Sequence, residues 1–431
     1  MVTLLRTPAA WPRILLARAE AKDPLDLDAA VAAGAFDALR RSIRELGGAA
    51  TIDVIAAAGL RGRGGAGFPT ADKWRTAATT DADRRYVVAN GYGADPASHT
   101  DRTLMLVDPY AVIEGVAIAA SAIGATEAFI AVRAEDADLV ARLSAAIGAA
   151  TDAGFLGPDV LGSGRDLWLT VRPVQGAYML GEETVLLKAL EGKRGQPEQR
   201  PPHPAERGLF DRPTVVNNVQ TLAAVPWIIR EGADAFRATG STQSPGTVLV
   251  QLRMPTRDGI AEVPLGTPLG DILKLGGKLP PERSLQAVLI GGPSGGLLPP
   301  DALDTPYDFM TLRDAGAHLG SGSLVAVDDR SDLLELVGVL TRFCSNEACG
   351  KSIPCRIGTK RLAEIVGRRE EGLVRPVDTE LAADLAHDIV ASALCDHERL
   401  ATLPLTSGMR YFGSAFDPTG RPTPVTTEAA R

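Results

Sequence analysis

Between Gly59 and Trp74 the chain reads GLRGRGGAGFPTADKW, with five glycines by Gly67. So many residues without a Cβ can neither propagate a helix nor hold a central strand, so the stretch must be a loop. Arg61, Arg63 and Lys73 stand in or beside it, placed to neutralise an anion that bare N–H groups can approach. A glycine-heavy chain also makes such loops for conformational reasons alone. On this stretch by itself, a phosphate cradle and a plain turn are equally open.

The 431 residues exceed one ordinary core and suggest two to four domains. At 45% hydrophobic and 23% charged, the chain has the composition of an ordinary soluble globular protein. The net charge of −8 argues against nucleic acid or an anionic membrane as the main partner. The longest apolar stretch, Val112 to Val132, is interrupted by Glu114 and Glu127 and reads as a buried helix leading into a strand, so no direct membrane insertion is expected. From Met1 to Ala21, Arg6, Pro8, Pro12, Arg13 and Arg18 leave no apolar core of a signal peptide, and the expected location is the cytoplasm. All four cysteines, Cys344, Cys349, Cys355 and Cys395, fall in the last quarter of the chain. A disulfide framework does not suit a large cytoplasmic chain, so their segregation points to metal ligation.

Periodicity predicts a helix over Leu25 to Leu46, closed by Gly47 and Gly48 and feeding the glycine loop. A strand over Arg85 to Asn90 then ends in a polar loop from Gly91 to Thr100, the kind of strand end where open α/β sheets bind ligands. Strand and helix alternate onward: a helix to Ile123, a strand over Ala128 to Val132, a helix over Asp136 to Ile147 and a strand over Leu167 to Val171. Glu182 and Glu183 open the next helix, where acids also sit for the helix dipole alone. The loop from Glu191 to Arg212 is longer than compact domains usually carry, which favours a functional role. It leads to Asn217 and Asn218, readable equally as ligand contacts and as a helix cap. From Gly246 to Val327 short strands and turns form a small β-rich module. Helices follow from Ser331 to Met409, and a Pro/Thr-rich tail begins at Asp417.

Five blocks, Gly59 to Trp74, Gly176 to Thr184, Pro213 to Thr221, Leu312 to Ser321 and Cys349 to Cys355, resemble in order and spacing the NADH-binding flavoprotein subunit of respiratory complex I, the 51 kDa type. The same subunit type occurs in NAD-linked formate dehydrogenases and NAD-reducing hydrogenases, and the resemblance covers nearly the whole chain. It implies an α/β fold: a Rossmann-like FMN/NADH domain with an N-terminal helix (1–240), a β-grasp module (241–330) and a C-terminal helical bundle with an iron–sulfur site (331–431). It implies that Gly62, Gly64, Gly65 and Lys73 hold the FMN phosphate with Arg63 nearby, and that Asn90, Gly181, Glu182, Asn217 and Asn218 line the flavin. Glu183 would meet the ribose of NADH and Phe68 would stack on its adenine. The [4Fe–4S] ligand positions fall on Cys349, Ser352, Cys355 and Cys395.

The departures from that family are concentrated at ligand positions. Of three carboxylates expected after Asn90 only Asp95 remains, with Tyr92 and Gly93 in place of the other two. Two adenine-stacking phenylalanines are replaced by Thr76 and His203. Ser352 replaces one cluster cysteine, so that Ser352 Oγ, Cys344 or no fourth group completes the site. The resemblance implies an electron-transfer subunit moving electrons between NADH, FMN and the cluster, with a thioredoxin-like [2Fe–2S] subunit and a larger iron–sulfur subunit as partners. No thioredoxin-like segment stands before residue 50, so that part would come from a separate chain. The alternative is a paralogue that keeps the fold as a structural or electron-conduit subunit with degenerate sites.

Overall fold

The structure, a computed structural model, describes residues 3–416; Met1, Val2 and the tail from Asp417 lie outside the described residues. Four parallel strands form the first sheet: β1 (Tyr86–Asn90), β2 (Glu127–Arg133), β3 (Trp168–Val174) and β4 (Thr214–Asn218), in the order β3-β2-β1-β4. Because β1 connects to β2 on one side and pairs with β4 on the other, the order reverses at β1, and a crevice opens beyond the strand ends at Asn90 and Asn218. One face of the sheet is covered by the helices Pro109–Ile123 and Val219–Glu231, and both of those carry long apolar runs. The other face meets the helix Glu183–Leu190 through Val88, Phe129, Val216, Val185 and Leu186.

The second sheet contains β5 (Thr247–Arg253), β6 (Asp258–Pro264), β7 (Leu285–Ile290), β8 (Gly296–Leu298) and β9 (Ser323–Asp328), in the order β6-β5-β9-β7-β8. Its first and last strands lie side by side and parallel at the centre, and the remaining pairs are antiparallel, which is the β-grasp arrangement. Strand β8 is three residues long and too short to show a period in the sequence. Beyond it the helices Leu333–Asn346, Ile353–Glu370, Asp378–Ala391 and Leu403–Tyr411 bury Val337, Leu362, Ile365, Ile389 and Leu405 together with Leu289 and Leu297 of the second sheet.

One expected element is redrawn. The predicted helix over Leu25 to Leu46 is broken into Leu27–Ala32, Asp37–Arg41 and a π-turn over Ser42–Leu46, and the glycine pair does not end the helical run. Gly47, at φ +74°, only bends it, and Gly48, in the first turn of the helix Gly47–Ala58, lies so close to the Ala122 carbonyl that a Cβ would be 2.6 Å from its oxygen. Among the described residues no single helix is long and apolar enough to cross a membrane. The pair Thr100–Val107 and Pro109–Ile123 bends by 97° and belongs largely to the core.

Candidate functional site

The glycine loop closes on itself, with Gly62 N–H donating to Phe68 O at 2.8 Å and Thr70 N–H to Leu60 O at 2.9 Å. Gly65 (φ +108°) and Gly67 (φ +65°) need glycine, and a Cβ on Gly67 would sit 2.8 Å from the Phe309 ring of the second module. The N–H groups of Gly64, Gly65 and Ala66 have no acceptor among the described residues, and Gly64 and Ala66 are exposed. Thr70 Oγ1, buried at the start of the helix Thr70–Thr79, is also without a partner. Free donors on a left-handed turn leading into a helix suit a phosphate group. Arg63 has a different place from the one expected of a phosphate neighbour. Its guanidinium is buried and donates to the carbonyls of Thr247 (3.0 Å), Pro245 (2.6 Å) and Arg61 (3.1 Å), while its backbone N–H donates to Thr221 Oγ1. It braces the loop against the second sheet, and burial lowers it to about 9.

Lys73 projects from the first turns of that helix and donates to Glu183 Oε2 at 2.5 Å and to Val216 O at 3.3 Å. Arg200, from the long Pro-rich loop, bridges Glu182 and Glu183. Burial opposes the charge on Glu183, yet Lys73 and Arg200 outweigh it and hold its carboxyl below the ordinary range. Glu182 also caps its helix, accepting from Thr184 N–H (2.8 Å) and Val185 N–H (2.9 Å), so the structural reading of this acid is realised alongside its place in the site. Phe68 is half exposed, with Lys73 Nζ 5.8 Å from its ring centre, and His203 is exposed within electrostatic reach of Glu183. Arg200 was not singled out from the sequence; its signal is a cation just before the Pro-Pro-His segment of a loop long enough to fold back over a Glu-Glu pair.

Asn90 donates to Gly181 O (3.3 Å) and accepts from Tyr92 N–H (3.2 Å), which ties the two strand-end loops together. Asn217 Oδ1 accepts from Trp74 Nε1 at 2.9 Å, and Asn218 caps the helix Val219–Glu231 while donating to Asp101 at 2.6 Å. Asp95 is buried, accepts from Ser321 Oγ (2.7 Å) and Ala97 N–H (2.8 Å), and is raised above its ordinary value by that burial. Tyr92 points into the core, where its hydroxyl donates to Gly176 O at 2.7 Å and the Arg133 guanidinium lies 4.7 Å from its ring centre. A Cβ on Gly93, by contrast, would meet nothing within 4 Å.

The cysteines gather at the other wall of this crevice. Cys395 is buried in the same apolar cluster as Tyr92, Leu180 and Val185, and Cys349 packs against that cluster. Cys355 lies within electrostatic reach of Cys395, Cys349 and Cys344, and Cys395 within reach of Glu182. Burial pushes the Cys355 and Cys395 thiols up to about 12, so they ionise only against a cationic partner such as iron. Among the described residues no three Cys, His, Asp or Glu side chains converge tightly enough for a single ion. A cluster spreads its ligands more widely than one ion does, and this donor set fits a cluster better.

Residues 55–227 match the family described as the Nuo51 FMN-binding domain, and residues 335–419 match the NADH-ubiquinone oxidoreductase-F iron-sulfur binding region. The chain is 38% identical to the NADP-reducing hydrogenase subunit HndC of Solidesulfovibrio fructosivorans over 92% of this chain and 81% of that protein. It is 40% identical to an NADH-quinone oxidoreductase subunit of Streptomyces coelicolor over 86% of this chain and 84% of that protein. A solved NAD+-reducing [NiFe]-hydrogenase in the H2-reduced state superposes with a TM-score of 0.85 at 30% identity, covering 98% of this chain and 69% of that one.

Proposed function

The chain belongs to the NADH-binding flavoprotein family of Nuo51 type, and from that premise we propose that it oxidises NADH at the glycine-loop crevice and passes the electrons to its cysteine end. It is an electron-transfer subunit of a multi-subunit NAD-linked oxidoreductase, with FMN and a [4Fe–4S] cluster as cofactors. Bound in the crevice, FMN supplies the conversion between hydride transfer from NADH and single-electron transfer to the cluster.

The chain's own residues do the positioning. The open N–H groups of Gly64, Gly65 and Ala66 with Lys73 would hold the phosphate, and Asn90, Asn217 and Asn218 stand at the strand ends where the flavin would lie. Arg200 bridges Glu182 and Glu183, and Lys73 with Arg200 holds Glu183 in its charged form, leaving it as an acceptor for a ribose hydroxyl, while exposed Phe68 offers the adenine a face. The observation that carries the reading is the shared wall: Cys395 is packed with Leu180 and Val185, beside the acids of the crevice, so a carrier there and a cluster here are near neighbours. A thioredoxin-like [2Fe–2S] subunit and a larger iron–sulfur subunit are the proposed partners, and the cytoplasmic side is the proposed location.

The second reading, a conduit or structural subunit that ignores NADH, is favoured by one observation: Tyr92 has joined the core and Gly93 leaves its position empty. Flavin content of the gently purified chain tests the cradle. The wild type is expected to retain FMN, and Lys73→Ala to weaken its binding roughly ten- to a hundredfold, the value of a hydrogen bond to a charged group. A wild-type chain that never holds flavin would contradict the proposal.

A further inference from the structure

This inference rests on the iron–sulfur reading above and concerns the fourth cluster ligand. Ser352 stands in extended backbone (φ −81°, ψ 134°) at the N-cap of the helix Ile353–Glu370. A serine there ordinarily turns its hydroxyl onto the N–H groups of the first turn. Ser352 does not: it makes no side-chain cap bond, and its Oγ is hydrogen-bonded to nothing among the described residues, although its carbonyl accepts from Arg356 N–H at 3.0 Å. Its place is set from outside the turn. Gly350, at φ +77°, reverses the chain after Cys349. Lys351 Nζ is held by Pro197 O at 2.5 Å, and Gln196 donates to Cys349 O at 3.3 Å, so the Pro-rich loop fixes the backbone on both sides of Gly350.

Cys344 is placed for a different task. It lies fully buried in the last turns of the helix Leu333–Asn346, with Sγ 3.5 Å from Pro293 O in the second module and its own carbonyl bonded to His397 Nε2 at 3.0 Å. Swinging its sulfur toward the other three cysteines would break the Pro293 contact.

We infer that Ser352 Oγ, and not Cys344 Sγ, completes the cluster, which is therefore held by the thiolates of Cys349, Cys355 and Cys395 and one alkoxide. On ligation the Ser352 O–H bond breaks, an iron–oxygen bond forms, and the proton leaves to solvent from a partly exposed residue. Oxygen is a harder donor than sulfur and favours the oxidised cluster, so the potential is lower than with four thiolates and the iron at this corner is the most readily lost.

The test is iron and sulfide analysis with electron paramagnetic resonance on the purified full chain and three variants. Ser352→Ala removes no cap bond, so its fold is unaffected; it is expected to lose one iron per cluster, keep its sulfide and show a three-iron signal when oxidised. Ser352→Cys is expected to keep four irons and raise the midpoint potential. Cys344→Ala is expected to match the wild type in iron, signal and potential. A three-iron signal in Cys344→Ala with Ser352→Ala unchanged overturns the assignment, as does a normal cluster in both alanine variants. A wild-type chain with neither iron nor sulfide overturns the cluster reading as well.

Discussion

Two loops face each other across the ends of β1 and β4, and they have been filled in opposite ways. In the glycine loop the N–H groups of Gly64, Gly65 and Ala66 have no acceptor among the described residues. In the loop after Asn90 every named polar group is satisfied from within: Tyr92 by Gly176, the Gly93 carbonyl by Arg133 at 2.8 Å, and Asp95 by Ser321 and Ala97. Buried polar groups must be paired, whereas groups reserved for a ligand keep spare valence. The first loop thus keeps donors free for the proposed phosphate, and the second is a strut between the parallel sheet and the second module. On the proposed reading, a ligand in this crevice would be gripped mainly from the glycine-loop side.

That contrast can be broken, and the largest effect is expected from restoring an acid to the strut. Tyr92→Asp removes a buried ring and places a carboxylate among Val88, Phe129 and Leu180. It should cost at least about 4 kcal/mol in urea denaturation; a near-neutral result would mean that this loop is free to act as a ligand wall. Next comes Gly67→Ala, which combines a left-handed φ with a clash on Phe309 and should cost roughly 2–4 kcal/mol together with lost flavin retention.

A pH series probes the support beneath the receiving side. Burial raises the Asp101 carboxyl to about 6, against the donors Gln220 Nε2 (2.7 Å) and Asn218 Nδ2 (2.6 Å). With its folded-state value above the unfolded one, the folded chain holds the extra proton in between. The contribution is therefore fully present below about pH 4 and lost as pH rises through about 6, amounting to roughly 2–3 kcal/mol. Asp101→Asn should flatten the slope of denaturation midpoint against pH in that window. The smallest effect is expected at Gly93→Ala, where a left-handed φ costs about 1 kcal/mol and nothing is struck. A larger loss there would show that the strut is tighter than its open space suggests.

Much of this was legible in the residues. The glycine run, the strand ending at Asn90, the acids opening the helix Glu183–Leu190 and the segregated cysteines all carry local signals, of conformation, period or composition, that need no tertiary partner. What was not legible depends on distant partners. An arginine inside a glycine loop reads as an anion ligand, and only the carbonyls of Pro245 and Thr247 turn Arg63 inward. In the sequence Tyr92 reads only as a missing carboxylate, and the contacts with Gly176 and Arg133 that seat it in the core are distant in the chain. Arg200 reaches Glu182 and Glu183 across a loop whose path no periodicity describes.

The central claim, that a crevice gripping its ligand from one side still takes electrons from NADH and hands them to the cysteine end, is tested most directly by anaerobic titration of the purified chain with NADH. The visible flavin band should bleach and a reduced-cluster resonance should grow in step with it. A chain that retains its flavin but whose band is unchanged by excess NADH would contradict the claim.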